Sequence, residues 1–180
     1  DRHSLENIFS KSPTLIATHC ESEEIIKRNL ALAVEKYGSS SIPFEEHSNI
    51  RSREACIAST KEAIELALKH NSRLHILHIS TQEEIAIIRE AKKCSSKISG
   101  EACVHYMVLN NTMYESLKSH IKCNPSIKEE SDRVAIIDAV KEGVIDVVAT
   151  DHAPHTLQEK SSHYLDAPSG LPLIQHSLQI

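Results

Sequence analysis

Short apolar segments alternate with longer segments of helical periodicity along this chain. Between the apolar segments, apolar residues recur at helical spacing and predict helices over residues 22–37, 52–70, 81–94 and 128–142. Strands that alternate with helices in this way predict a parallel sheet with helices packed outside it. The strand segments show apolar runs rather than clean alternation, which favours burial on both faces, although the third segment is weaker and is interrupted by Gly100. The predicted strands are Pro13–Thr18, Leu74–Ile79, Lys97–Cys103 and Val144–Thr150.

Two α/β architectures fit this order of elements. A doubly wound sheet usually has a glycine-rich phosphate turn after an early strand, and this chain has only four glycines and no such turn. A β/α barrel places its chemistry at the carboxyl ends of its strands, and His19, His78 and Asp151 stand at three strand ends here. A full (β/α)8 TIM-type barrel needs eight strands and about 250 residues. We therefore expect residues 1–180 to be its carboxyl half, strands 5 to 8, with the N-terminal strands outside this sequence.

Charge and composition exclude several function classes. The formal net charge is -5 and the charges are spread along the chain, so no basic stripe points to nucleic acid. No apolar run approaches the length of a membrane span. The five cysteines are odd in number and none has C-x-x-C spacing, which argues against disulfides and favours the reducing cytoplasm.

The candidate chemistry is concentrated in the run Val147–His155, where an apolar strand ends in an acid, two histidines and a proline. Taken alone, His19 and His78 could be hydrogen-bonded core or loop histidines, and Asp151 could be a helix cap or turn residue. Together, imidazole and carboxylate groups at neighbouring strand ends suit zinc with one position open for water. Asp151 is then placed to accept a proton from water and pass it to a leaving group, as in hydrolysis of an amide-like bond.

Other residues are weaker candidates. Strand parity places His78 with Ile76, and predicts that His75 points to the helix layer as a structural residue. Asn124 offers a donor and an acceptor to a planar amide, although a turn residue is the simpler interpretation. His155 could donate to a substrate anion or be an ordinary loop histidine. Arg51 begins a helix, and we predict that its side chain is exposed to solvent.

These motifs resemble the dihydroorotases of the amidohydrolase superfamily. The run Thr150–His155 with Lys160 is similar to the dihydroorotase signature, and Thr18–Glu21 and Leu77–Thr81 resemble the metal-ligand segments of its fifth and sixth strands. Further segments fit in the right order: Gly100–Tyr106, Lys122–Pro125 and Ala167–Pro172.

The resemblance implies reversible cyclisation of N-carbamoyl-L-aspartate to L-dihydroorotate, a step of pyrimidine (UMP) synthesis. It implies one or two Zn²⁺ ions held by His19, His78 and Asp151, with Asp151 as proton shuttle. It also implies a cytoplasmic enzyme with a small-molecule substrate, and a homodimer is compatible with it. The substrate-binding residues that it implies are Asn124, His155, Pro168 and Gly170.

The sequence departs from the family at its start, since the first-strand His-x-His pair, the arginine after it and the bridging lysine or aspartate are not in this chain. Two alternatives therefore stay open. One is a related cyclic amidase of the allantoinase or hydantoinase type, against which the Ala-Pro-His continuation after Asp151 argues. The other is a catalytically inactive scaffold, which has no need of His19, His78 and Asp151.

Overall fold

Four parallel strands in the order β1-β2-β3-β4 form the sheet of the computed structural model, which describes residues 2–179. The register places Thr18 opposite Ile76, and Ile76 opposite Gly100. The carboxyl ends of the strands therefore meet at one edge of the sheet, where the candidate residues follow. The strands are β1 (Ile16–Thr18), β2 (Leu74–Ile76), β3 (Ile98–Cys103) and β4 (Val147–Ala149).

Helices connect the strands and pack against the sheet, in the alternation that the sequence predicts. The α-helices within residues 2–179 are α1 (Arg2–Lys11), α2 (Glu23–Tyr37), α3 (His47–Ile50), α4 (Arg53–His70), α5 (Gln82–Cys94), α6 (Val104–Val108), α7 (Tyr114–Leu117), α8 (Glu130–Lys141) and α9 (Leu157–Lys160). The helices α1, α3, α6 and α9 were not predicted. None of the described helices has the length and apolar character needed to cross a membrane.

Local sequence signals account for the ends of the long helices. At the start of α5, the Thr81 hydroxyl accepts from the Glu84 amide at 3.2 Å, and the Glu84 carboxylate accepts from the Thr81 amide at 3.1 Å. This reciprocal cap satisfies amides that the first helical turn leaves free. The helix α2 ends at Gly38, which has a φ of 78°. Glycine adopts such a positive φ readily because it has no Cβ.

The core lies between the sheet and the helices α4, α5 and α8. Leu74, Ile76 and Ile88 are completely buried there. A Cβ on Gly100 would lie 2.6 Å from Cδ1 of Ile79, so glycine lets the chain after β2 approach the sheet closely. All five cysteines are free thiols, in agreement with their spacing.

The prediction of strands buried on both faces is wrong for β4. Val147 and Val148 are 43% and 45% exposed. The strand lies at the edge of the sheet, paired only with β3 within the described residues. Its apolar sequence is therefore not matched by packing within residues 2–179.

The prediction that His75 points to the helix layer is also wrong. Its neighbours Leu74 and Ile76 are the residues buried against the helices, so parity turns His75 to the other face of the sheet. There its ring nitrogens lie 2.8 Å from the Ser99 hydroxyl and 3.1 Å from the Glu101 carboxylate. Parity failed because β2 ends at Ile76, and His78 lies beyond the strand with a φ of 38°.

His47 provides a pH-dependent contribution to stability. It is buried, its Nε2 donates to the Cys123 carbonyl at 2.8 Å, and its Nδ1 accepts from the Tyr164 hydroxyl at 2.7 Å. Burial lowers the pKa of His47 from 6.5 to about 3. The unfolded chain therefore binds a proton that the folded chain does not, and stability falls as the pH drops from 6.5 towards 3.

Between pH 6 and pH 4, we expect this histidine to lower the free energy of unfolding by about 1.4 kcal/mol for each unit that the pH falls. Urea denaturation of the wild type and of His47→Gln at several pH values measures it. Glutamine does not titrate but keeps one donor and one acceptor, so the stability of the variant should fall less steeply with acid. Equal slopes in the two proteins would show that His47 is not the group responsible.

Candidate functional site

Three strand ends bring the candidate ligands to one edge of the sheet. His19 directly follows β1, His78 lies two residues after β2, and Asp151 lies two residues after β4. His78 and Asp151 both have positive φ values, 38° and 46°. Such a conformation is uncommon for residues other than glycine, and it turns both side chains away from the direction that strand parity would give them.

The two histidines face each other directly. Nδ1 of His19 contacts Nε2 of His78, and the ring centroids are 4.7 Å apart with the ring planes inclined by 29°. His78 is buried, whereas His19 is exposed to the cavity side. Two imidazole nitrogens that converge on one point offer their lone pairs to a common cation or share a single proton.

A cavity of about 500 Å³ opens at this edge. Five of the seven predicted site residues line it: His19, His78, Asn124, Asp151 and Gly170. The other two, His155 and Pro168, do not line it and instead contact residues of the neighbouring loop. The His155 ring donates from Nε2 to the Ser169 carbonyl at 3.2 Å, and the Pro168 carbonyl accepts from the Lys160 ammonium at 3.0 Å.

The walls of this cavity hold unpartnered polar atoms. Six buried side-chain nitrogen or oxygen atoms in the described residues have no hydrogen-bond partner, and five of these six belong to residues that line the cavity. Buried polar atoms are nearly always paired in folded proteins, so this concentration marks a place where a bound group would pair them. The five atoms are Glu21 Oε1, His78 Nδ1, His105 Nδ1, His105 Nε2 and Asn124 Oδ1.

Burial keeps His78, His105 and the Cys123 thiol of the cavity uncharged near neutral pH. Burial and the nearby His19 lower the pKa of His78 to about 4. Burial and the nearby His78 lower the pKa of His105 to about 3. Burial raises the pKa of Cys123 to about 12. The imidazoles of His78 and His105 are thus in the neutral form that coordinates metal ions, and Cys123 is a thiol rather than a nucleophilic thiolate.

Sequence reasoning missed three residues of this site. Arg51 is not solvated as expected, because its guanidinium is only 22% exposed and forms an ion pair with Glu21 in the cavity wall. Burial raises the pKa of Glu21 although the charge of Arg51 opposes the change. His105 is the third, and it follows the carboxyl end of β3 by two residues. That position after a strand was the signal that could have found it.

The donor set fits a zinc ion in chemistry but is incomplete in number. Neutral imidazole nitrogens and a carboxylate are ligands that zinc accepts. Within residues 2–179, however, no three His, Cys, Asp or Glu side chains are placed closely enough to hold a metal ion by themselves. The described residues therefore provide a converging histidine pair with Asp151 in the same cavity wall.

Comparison with known proteins finds dihydroorotases among the proteins similar to this chain. No family model matches it. A dihydroorotase of Carboxydothermus hydrogenoformans is 38% identical over 108 residues, covering 60% of this chain and 25% of that protein. One of Desulfotalea psychrophila is 34% identical over 167 residues, covering 91% of this chain and 38% of that protein. The resemblance that the motifs indicated is confirmed, and the chain spans well under half of these relatives.

Solved structures confirm the fold class of about half a barrel. A D-hydantoinase structure superimposes with a TM-score of 0.89 at 20% identity, covering 99% of this chain and 40% of that one. A dihydroorotase from Saccharomyces cerevisiae in complex with 5-fluoroorotic acid gives a TM-score of 0.59 at 14% identity, covering 94% of this chain and 60% of that one. At these identities the likeness concerns the fold alone.

Proposed function

We propose that this homologue of the dihydroorotases is the carboxyl half of the catalytic barrel of a zinc-dependent dihydroorotase. The proposed reaction is the reversible cyclisation of N-carbamoyl-L-aspartate to L-dihydroorotate in pyrimidine (UMP) synthesis. The observation that carries the proposal is the meeting of His19, His78, Asp151 and Asn124 in one cavity whose walls hold five unpartnered polar atoms.

In this proposal His19 and His78 bind zinc through ring nitrogens, and the Asp151 carboxylate is the third ligand that this chain provides. Bound zinc would polarise the amide carbonyl of the substrate and make water more acidic. The remaining ligands come from strands outside this chain, which agrees with the lack of a three-ligand group in residues 2–179. The number of ions, one or two, depends on those strands.

Asp151 moves the proton of the reaction. In the direction of ring opening, its carboxylate accepts a proton from water as the water oxygen bonds to the carbonyl carbon. The same carboxyl then gives that proton to the ring nitrogen as the carbon–nitrogen bond breaks, so one residue acts first as base and then as acid. Its position in the wall of the cavity that the histidine pair also lines supports this role.

The ring amide of the substrate is assigned to Asn124 and the loop that carries Gly170, which both line the cavity. The unpartnered Asn124 Oδ1 is placed to accept from a ring N–H. Gly170 lines the cavity beside it, and a Cβ there would lie 2.5 Å from the Ala153 carbonyl, so only a bare backbone fits. We also assign substrate contacts to His155 and Pro168, which adjoin the lining residues Ser169 and Gly170.

The remainder of the barrel would pair with the two free edges of the sheet. Within the described residues β1 and β4 each have one neighbouring strand, and the exposed Val147 and Val148 lie on β4. Further strands would cover these residues and satisfy the edge amides and carbonyls. We propose a cytoplasmic location on the basis of the free thiols, and a homodimer on the basis of the family resemblance.

A hydantoinase activity is the second candidate, since hydantoinase structures superimpose with TM-scores of 0.86 to 0.89. Ring-opening rates of the intact protein on dihydroorotate, hydantoin and allantoin separate the two. We expect kcat/KM to be at least about 100-fold higher for dihydroorotate, because a site whose buried polar atoms pair with one ring discriminates strongly against rings that leave those atoms unpaired. Equal or faster opening of hydantoin would contradict the dihydroorotase proposal, and no turnover of any ring would favour the scaffold.

A further inference from the structure

Two lysines are buried beside the candidate site without any acidic partner. Lys122 and Lys160 are 7% and 4% exposed. Lysine is almost never buried at this level unless it is paired, yet neither ammonium forms an ion pair with a carboxylate in the described part of the chain. Both ammonium groups donate to backbone carbonyls instead.

The first lysine holds the start of the loop formed by residues 164–170. Lys122 Nζ donates to the carbonyls of Tyr164 and Ala167, each at 2.5 Å. It also lies 4.6 Å from the centroid of the Tyr164 ring, a cation–π contact. The backbone of Lys122 adds a further bond, because its carbonyl accepts from the Gly170 amide at 2.9 Å.

The second lysine holds the end of the same loop. Lys160 Nζ donates to Pro168 O and Gly170 O, both at 3.0 Å, and to Lys122 O at 3.2 Å. An ammonium group has three hydrogens, so all of them are used on these three carbonyls. Four carbonyls of the 164–170 loop are therefore bound by the two ammonium groups.

The loop held in this way forms part of the cavity wall. Ser169 and Gly170 line the cavity, and Gly170 packs against Ala153 in the segment that follows Asp151. Neither lysine lines that cavity itself; Lys122 borders a neighbouring cavity of about 450 Å³. The lysines therefore act on the site through the loop and not by touching the reacting atoms.

We propose that Lys122 and Lys160 are positioning residues, which fix the 164–170 loop in the shape that binds the anionic substrate. The proposal rests on the proposed function for the identity of that substrate. Burial and the neighbouring charge of Lys160 lower the pKa of Lys122 to about 8, so keeping two cations together here has a free-energy cost. A loop without a functional shape would not need such a pair.

Lys160→Met in the intact protein tests the proposal, because methionine fills the space of the side chain without its three donors. We expect KM for dihydroorotate to rise about tenfold or more, the effect of losing hydrogen bonds to a charged group, while kcat changes less than about threefold, as expected when uniform substrate binding is lost. Hydrogen exchange of the 164–170 amides should accelerate. Lys61→Met is the control, because Lys61 is an exposed lysine of α4 with no side-chain hydrogen bond or ion pair in the described residues. This variant should change neither KM nor the hydrogen exchange of the loop.

A second variant covers the case in which Lys160→Met does not fold. Lys160→Gln keeps two N–H donors without charge and should give an intermediate KM and intermediate exchange. Wild-type KM and wild-type exchange in either folded variant would overturn the proposal, as would a loss confined to kcat. If the wild type does not open dihydroorotate, the proposed function fails, and the exchange comparison alone then decides whether the lysine fixes the loop.

Discussion

Asp151→Asn in the intact protein is expected to lower kcat/KM for dihydroorotate by about 10²–10⁴-fold, the range that a general acid–base residue contributes. The amide cannot accept and return a proton, and it is a poorer metal ligand than a carboxylate. The fold should survive, because asparagine is one of the residues that tolerate the left-handed conformation, here a φ of 46°. Steady-state assays, with thermal melting as a check of folding, measure both effects.

The matched control is Asp138→Asn, the same chemical change on the exposed face of α8. Its only ion pair within residues 2–179 is a surface contact with Lys141 at 3.7 Å, so activity and stability should both stay near wild type. An Asp151→Asn protein that melts normally and keeps wild-type kcat/KM would show that Asp151 is not the proton shuttle.

Arg53→Met is expected to cost about 3–5 kcal/mol of the free energy of unfolding, because it leaves a buried carboxylate without its cation. The guanidinium donates to Asp132 at 2.6 Å and 2.9 Å and also pairs with Glu83 and Glu129. Asp132 is only 1% exposed. The cluster joins the first turns of α4, α5 and α8, so its loss loosens three helices together.

Urea denaturation measures this loss, with Arg89→Met as the control. Arg89 pairs with Glu142 on the surface, where both side chains are about half exposed, and its removal should cost less than about 1 kcal/mol. Although burial opposes ionisation, hydrogen bonds from Arg53 and from the Gln82 amide lower the pKa of Asp132. The gap between Arg53→Met and wild type should therefore narrow below about pH 4, where carboxylates become protonated. Equal costs for the two variants would contradict the account.

The site could be predicted as far as it depends on the order of elements. Parallel strands joined by helices bring their carboxyl ends to one edge, so His19, His78 and Asp151 could be placed together from their positions after three strands. The prediction for His78 was useful although the parity argument behind it failed. The chain leaves the strand at Ile76, and parity has no meaning beyond that residue.

Long-range pairing could not be read from the sequence. Arg51 precedes a helix in a polar context, and only the fold brings it to Glu21, thirty residues away in the chain. The buried lysines are a similar case, since Lys160 meets its carbonyl partners through the return of the 164–170 loop. The apolar sequence of β4 likewise predicted burial that requires strands outside the described residues.

An anomalous difference map at the zinc absorption edge, from crystals of the intact protein, tests the central claim most directly. The account predicts a peak about 2.0–2.1 Å from a ring nitrogen of His19 and of His78, the usual zinc–nitrogen distance, with Asp151 facing it. A protein that opens dihydroorotate while its zinc lies away from both histidines, or while it holds no zinc at all, would contradict the account.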